Sequence, residues 1–217
     1  MVAVGIGFLA LLMAGLLMAA LYRHSRILPL VLMVVLVAEW ALASMGVLGQ
    51  WARRPPPFMV MMAVLFALTL WLGLSRLGGR LAASTPLWVL IAAQAFRLPL
   101  ELVMHHAAVE GLMPVQMSYA GSNMDIVTGA TAVVAAVLVR AGMAARAVAT
   151  VWNVLGIALL FNIIQVAVRS TPVFRAYGDD RLNTWIADVP YMWLPGVLVP
   201  AALLGHLLVF RKLRGNV

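Results

Sequence analysis

The sequence predicts an all-α membrane protein, built as one bundle of seven transmembrane helices. Hydrophobic residues make up 65% of the 217 residues and charged residues only 10%, and the mean hydropathy is +1.03. Apolar stretches of about 20 residues, the length at which a helix crosses the hydrocarbon core of a bilayer, follow one another along the chain. Because only short loops separate them, we expect a single membrane domain over residues 1–217.

Each predicted span is an apolar run that ends at helix-breaking or charged residues. The prolines at 55–57 separate the second span from the third, since proline cannot continue a helix. Gly78 and Gly79 end the third span, and Pro86 begins the fourth at a first helical position. The seven predicted spans cover residues 2–22, 27–48, 58–77, 86–109, 124–140, 147–168 and 189–210.

The basic residues predict the orientation of the bundle. Nine of them lie in the C-terminal tail and in the first, third and fifth loops, whereas five lie in the other loops. Basic loops stay in the cytoplasm, so we expect the N-terminus outside and the C-terminus inside. The first span has no basic residue before its apolar run and is expected to remain as a helix rather than a cleaved signal peptide. The net charge of +8 is thus a topology signal, and no nucleic-acid partner is expected.

Several kinds of chemistry are excluded by missing residues. Cysteine is absent, so disulfides, thiolate metal sites and cysteine nucleophiles cannot occur. The only lysine, Lys212, lies in the tail, which excludes a retinal Schiff base within the bundle. The sequence also lacks the Gly-x-Ser-x-Gly motif of serine hydrolases.

A polar stripe on the fourth span is the most informative feature of the sequence. A charge at membrane depth costs at least about 2.5–3.5 kcal/mol, so such residues face protein or water and indicate a functional site. Arg97 and Glu101 are four residues apart and fit either a structural ion pair or a functional pair. Pro99 lies beside them and is expected to interrupt the helix. The stripe, an arc of about 80° on one helix face, consists of Gln94, Arg97, Glu101 and His105.

Four other spans are predicted to direct polar residues into the outer half of the bundle. Glu39 has no polar partner on its own helix, and we favour a functional role for it. Asp125 begins the fifth span and fits either a helix cap or a site residue. Asn162 and Gln165 fit hydrogen bonds between helices as well as ligand contacts. The predicted cavity residues of these four spans are Glu39, Asp125, Asn162, Gln165, Asp188 and Tyr191.

A metal site is an alternative interpretation of the same residues, although no resident cofactor is expected. Glu101 and His105 stand at positions i and i+4, so both could reach one ion, with Asp188 as a further ligand. The two-histidine motif of zinc proteases is missing. Haem would need axial ligands at similar depth, whereas His105 is expected in the outer half and His206 near the inner interface.

Four stretches resemble a family of small uncharacterised bacterial membrane proteins with seven helices. These stretches are residues 96–102 (FRLPLEL), 114–118 (PVQMS), 121–126 (GSNMDI) and 193–195 (WLP). The resemblance covers the fourth to seventh spans. It implies a bacterial inner-membrane protein and carries no known activity.

The favoured function is binding or translocation of a small polar solute, an ion or a proton through a cavity that opens outward. Glu39 and Glu101 would respond to protons or cations, Arg97 would engage an anion or tune the carboxylates, and His105 would relay protons. One alternative is an intramembrane metal-dependent hydrolase that acts on a lipid-like substrate. Another is a structural subunit of a larger membrane complex or homo-oligomer. The expected partners are therefore the bilayer, a small polar ligand or ion, and other membrane chains.

Overall fold

A computed structural model describes residues 1–215, which form eight α-helices and no strand. The last two residues of the predicted domain, Asn216 and Val217, lie outside the described residues. Short 3₁₀ and π turns inside two helices are counted with those helices. The helices are α1 (Val2–Tyr22), α2 (Ile27–Ser44), α3 (Pro57–Leu74), α4 (Arg76–Ser84), α5 (Leu87–Val109), α6 (Ile126–Arg140), α7 (Ala145–Arg169) and α8 (Leu194–Arg214).

Six helices, all except α4 and α6, are long and apolar enough to cross a membrane. The all-α class and the multi-pass character of the chain are therefore confirmed. Each of the seven predicted spans overlaps a helix, although α2 ends at Ser44 rather than at residue 48. Helix α6 has only 15 residues. A seventh crossing remains a prediction, because this helix is shorter than the thickness of a hydrocarbon core requires.

The short helix α4 was not predicted, since Gly78 and Gly79 were expected to end the third span. The Ser75 hydroxyl accepts a hydrogen bond from the Gly78 backbone N–H at 3.2 Å and so caps a new helix. Gly78 packs under the end of α3, where an added Cβ would lie 2.3 Å from the Leu72 carbonyl oxygen. The turn between α3 and α4 therefore needs glycine for space.

Helix α8 lies at the centre of the bundle, where it packs against α1, α3, α4, α5 and α7. It begins with a π turn at Leu194–Leu198 and runs to Arg214. The predicted span ended at residue 210, so the true helix lies about one turn further along the chain. This shift places His206 near the middle of α8.

The segment between α5 and α6 sends several residues into the bundle, while others remain exposed. Met117, Ser118 and Asn123 are completely or almost completely buried. Irregular backbone at membrane depth is tolerated where protein surrounds it and its polar groups are bonded. Here the Asn123 N–H donates to the Ser118 carbonyl at 3.2 Å. Asp125 and Thr128, at the start of α6, lie in the interior as well.

Candidate functional site

Arg97 is the centre of the polar core and is only 1% exposed. A 3₁₀ turn at Ala93–Phe96 precedes it within α5, close to the position where Pro99 was expected to disturb the helix. Gly129 of α6 packs directly on this stretch, since an added Cβ would lie 2.3 Å from the Leu98 backbone nitrogen. The absence of a side chain at Gly129 thus lets α6 approach Arg97 closely.

Arg97 forms an ion pair with Asp125. Its Nε donates to Asp125 Oδ2 at 2.6 Å, and its Nη2 donates to Asp125 Oδ1. This two-bond geometry matches the planar guanidinium to the carboxylate. The ion pair predicted between Arg97 and Glu101 is wrong, because the inward-folded segment brings Asp125 to the same depth.

The alternative reading of Asp125 as a helix cap is also wrong. Its carboxylate accepts hydrogen bonds from Arg97 and from the Thr128 hydroxyl, at 3.3 Å, and makes no bond to the first backbone N–H groups of α6. The side chain therefore serves the polar core and not the end of its own helix.

His206 connects the ion pair to α7. Arg97 Nη1 lies 2.8 Å from His206 Nε2, and His206 Nδ1 lies 2.8 Å from Asn153 Oδ1. Because a guanidinium has only donors, Nε2 accepts and the proton of a neutral imidazole stays on Nδ1, from which it is donated to Asn153. The Asn153 amide in turn donates to the His206 carbonyl at 3.2 Å. His206 is completely buried and contacts Arg97 in the middle of α5, so its expected position near the inner interface is wrong.

Glycine makes room for this imidazole. An added Cβ at Gly156 of α7 would lie 2.5 Å from His206 Cε1 and 2.9 Å from Thr128 Cγ2. Small residues commonly allow membrane helices to approach so closely. The network from Asn153 through His206 and Arg97 to Asp125 thus joins four parts of the bundle.

Glu101 is 2% exposed and lies beside the ion pair without sharing it. The Asn123 amide donates to its Oε2 at 2.7 Å, while Asn123 Oδ1 accepts from the Asp125 N–H at 3.0 Å. Glu101 also borders a cavity of about 90 Å³ between α3, α5, α7 and α8. Its other walls are mainly apolar and include Phe58, Met62, Phe96, Leu160, Ile163 and Leu194.

The remaining residues of the predicted stripe have separate environments. Gln94 is buried, and its amide donates to the Ala202 carbonyl of α8 at 3.2 Å. His105 is half-buried and stacks on the Tyr119 ring, with 4.3 Å between the ring centroids. Along one face of α5, Gln94 thus bonds to α8, Arg97 and Glu101 lie in the polar core, and His105 stacks on Tyr119.

The predicted metal ligands are not gathered into one site. Throughout residues 1–215, no group of three histidine, aspartate or glutamate residues is placed to hold an ion. Asp188, the proposed third ligand, is exposed near the end of the segment between α7 and α8. Glu101, His105 and Asp188 therefore offer no common metal geometry.

Glu39 is buried, as expected, but it lies apart from the cavity beside Glu101. It borders two apolar spaces along α2 and α3 instead. Both of its carboxyl oxygens lack a hydrogen-bond partner among the described residues. The expectation of one shared cavity is therefore wrong, since the two glutamates occupy different spaces.

Three other predicted cavity residues do not reach the interior. Asn162 and Gln165 are exposed on α7, whose buried face carries Asn153 and Gly156 instead. The Asn162 amide donates to the Ser122 carbonyl at 2.7 Å and so fastens the inward-folded segment. Tyr191 is half-buried and packs edge-on against Trp185 at 4.9 Å.

The polar core contains residues that the sequence reasoning did not select. Asn123, Asn153 and His206 are completely buried and supply hydrogen bonds to the charged residues. Asn153 and His206 each stand alone in an apolar run, which is the same signal that identified Glu39. A single polar residue within an apolar run could therefore have identified both Asn153 and His206.

A family model described as "Domain of unknown function (DUF8737)" matches residues 56–214. The matched region contains the whole polar core and Glu101, whereas Glu39 precedes it. Neither a curated protein nor a solved structure matches the chain. The expected resemblance is confirmed at the level of a family of unknown function.

Proposed function

We propose that this chain, which belongs to the DUF8737 family, is a bacterial inner-membrane protein that binds a proton or small cation beside Glu101 and passes it across the bilayer. In this proposal α6 completes a set of seven crossings, with the N-terminus outside. The observation that carries the proposal is the buried carboxyl group of Glu101 on the wall of the cavity. The neighbouring guanidinium of Arg97 is already paired with Asp125.

The charge balance of the core favours a positively charged ligand. Arg97 and Asp125 cancel each other, and the geometry gives His206 the neutral form. An ionised Glu101 would therefore add a negative charge that no ion pair balances. Buried charges of this kind are costly unless they take up a proton or a counter-ion.

The size of the cavity limits the ligand. Its volume of about 90 Å³ holds a few water molecules, each with a share of about 30 Å³. Pockets for drug-sized molecules are larger, at about 300–1,000 Å³. A small monovalent cation fits this volume, and so does a proton that is carried by water. The proposed ligand is therefore smaller than most polar solutes.

The cavity extends toward one end of the bundle. Met117, Thr171 and Ile186 line it there, on the segments that connect α5 to α6 and α7 to α8. In the orientation that the basic loops favour, this end faces the outside of the cell. We therefore propose that the ligand reaches Glu101 from outside.

The orientation can be tested with a fusion after Val217. A reporter that is active only in the cytoplasm should be active there, because the basic residues of the tail are expected to stay inside. The measurement is reporter activity, with membrane insertion checked separately. An inserted but silent fusion would reverse the orientation and place the cavity entrance in the cytoplasm.

The ligand can be tested with Glu101→Gln. In liposomes that contain a pH-sensitive dye, the variant should lose most of the proton or cation flux that wild type shows under an imposed potential. The amide has a similar size and can still accept from Asn123, but it cannot ionise. Flux is measured for protons and for sodium and potassium in turn.

Glu110→Gln is the matched control for this experiment. Glu110 is exposed at the end of α5 and contacts His106 at 3.0 Å, so its replacement should leave the flux unchanged. Wild-type flux in the Glu101→Gln liposomes would contradict the proposal. So would a wild-type protein that conducts no more than protein-free liposomes.

A structural subunit is the second candidate function, and the closed network around Arg97 favours it. Its charged and amide groups bond to one another. A chain with this role should purify with a constant partner from its own membrane. The hydrolase alternative needs a stoichiometric metal ion, which metal analysis of chelator-free protein would detect.

A further inference from the structure

A groove of about 680 Å³ runs between α2 and α3, separate from the cavity beside Glu101. We call it the α2–α3 groove. Its volume lies within the range of about 300–1,000 Å³ that is common for ligand pockets. Glu39 borders it, together with Arg53 and Arg54 from the α2–α3 loop. Its walls are otherwise mostly apolar and include Val35, Leu42, Val60, Val64 and Leu68.

Glu39 is 3% exposed, yet no donor in residues 1–215 reaches either carboxyl oxygen. Thr69, the nearby hydroxyl on α3, is bonded to the Leu65 carbonyl at 2.8 Å. Gly196 of α8 provides the space for the carboxyl group, since an added Cβ would lie 2.5 Å from Glu39 Oε2. An ionised group there would lack every hydrogen bond, so the surroundings suit the neutral acid, which can donate one.

The other charged groups of the groove are both cationic. Arg53 and Arg54 are exposed, and neither forms an ion pair within the part of the chain that the structure describes. Paired guanidinium groups bind phosphate well, because their donors match its oxygens. They would also repel an organic cation. The groove therefore suits a molecule with an anionic head and an apolar body.

A second apolar space lies on the other side of residues that also line the groove, among them Val35, Leu65 and Leu68. This space of about 170 Å³ lies between α1, α2, α3 and α8, and Glu39 borders it as well. Leu28, Leu32 and Leu72 are among its apolar walls. Apolar side chains thus surround α2 over much of its length on the side that faces α3.

We propose that the α2–α3 groove binds an anionic membrane phospholipid. Its phosphate lies between Arg53 and Arg54, and one acyl chain follows the apolar wall of the groove past Glu39. This site is independent of the cation proposed beside Glu101. It depends on residues of α2 and its loop, most of which precede the region matched by the family model.

The test measures binding of phosphatidylglycerol with a fluorescent acyl chain to the purified protein in mixed micelles. Phosphatidylcholine with the same chains is the comparison, because its ammonium group already balances its phosphate. Wild type should prefer phosphatidylglycerol. The double variant Arg53→Ala/Arg54→Ala should weaken the binding of phosphatidylglycerol about thirtyfold. This factor corresponds to about 1 kcal/mol, or five- to sixfold, for each arginine near a membrane surface.

A further variant tests the groove itself. Val64→Trp places a large side chain on its wall and should reduce binding of both lipids.

The matched controls are Arg175→Ala/Arg181→Ala and Val134→Trp, which change exposed residues outside the groove and should leave binding unchanged. Equal binding of the two lipids by wild type would overturn the proposal. Unchanged binding in the double arginine variant or in Val64→Trp would do the same. Displacement of the lipid by inorganic phosphate alone would show a free-anion site and would also overturn it.

Discussion

Replacing Arg97 with alanine is expected to lower the free energy of unfolding by about 3–5 kcal/mol. The change removes both hydrogen bonds to Asp125, which is only 4% exposed, and leaves its carboxylate as a buried charge without a partner. It also removes the donor to His206 Nε2. Unfolding by SDS in mixed micelles, followed by circular dichroism, measures the effect.

Two controls separate the ion pair from other consequences of the substitution. Arg97→Met combined with Asp125→Leu removes both charges and should recover much of the lost stability, as apolar replacement of buried pairs often does. Arg175→Ala breaks an exposed pair with Asp179, at 3.0 Å, and should change stability by about 1 kcal/mol or less. Equal stability of Arg97→Ala and wild type would mean that Asp125 is not held as a buried charge.

The helices could be predicted from the sequence because apolar runs and their breaks determine where a membrane helix can lie. Helix α1 occupies residues 2–22, as predicted, and α5 follows its predicted span to within one residue. The helix α4 was missed, since Gly78 and Gly79 were expected to end the third span and the capping role of Ser75 was not considered. A local hydrogen bond determines where α4 begins, and a hydropathy pattern contains no information about such a bond.

The burial of Arg97 and Glu101 was predictable, because a charge in an apolar run must face protein. Their partners were not predictable. Asp125 reaches Arg97 only because the segment between α5 and α6 folds inward, and that path depends on packing among distant parts of the chain. Sequence spacing favoured Glu101 as the partner, since residues four apart share a helix face.

The direction in which polar residues face was the weakest part of the sequence prediction. Asn162 and Gln165 were placed toward the cavity, whereas α7 turns Asn153 and Gly156 inward. Asn153 and Asn162 lie at similar distances from the two ends of α7, so distance from a helix end does not tell which of them is buried. The packing of α7 against α6 and α8 decides that, and it depends on tertiary contacts.

Replacing Gly129 with alanine is expected to destabilise the protein by about 3 kcal/mol, near the upper end of the usual range for overpacking. The new Cβ would lie 2.3 Å from the Leu98 nitrogen and 2.8 Å from the Arg97 carbonyl carbon. Both are backbone atoms, so neither can rotate away as the end of a side chain could. Helix α6 must move, and Asp125 at its start moves with it.

Gly15→Ala is the matched control, because Gly15 is also helical and no atom lies within 4 Å of its added Cβ. Alanine favours a helix over glycine by about 1 kcal/mol, so this variant should be as stable as wild type or slightly more so. The same SDS titration compares the two substitutions. A stable Gly129→Ala protein would contradict the close approach of α5 and α6, and with it the geometry that brings Asp125 to Arg97. A loss confined to Gly129→Ala would instead show that the polar core depends on helix packing as much as on its charges.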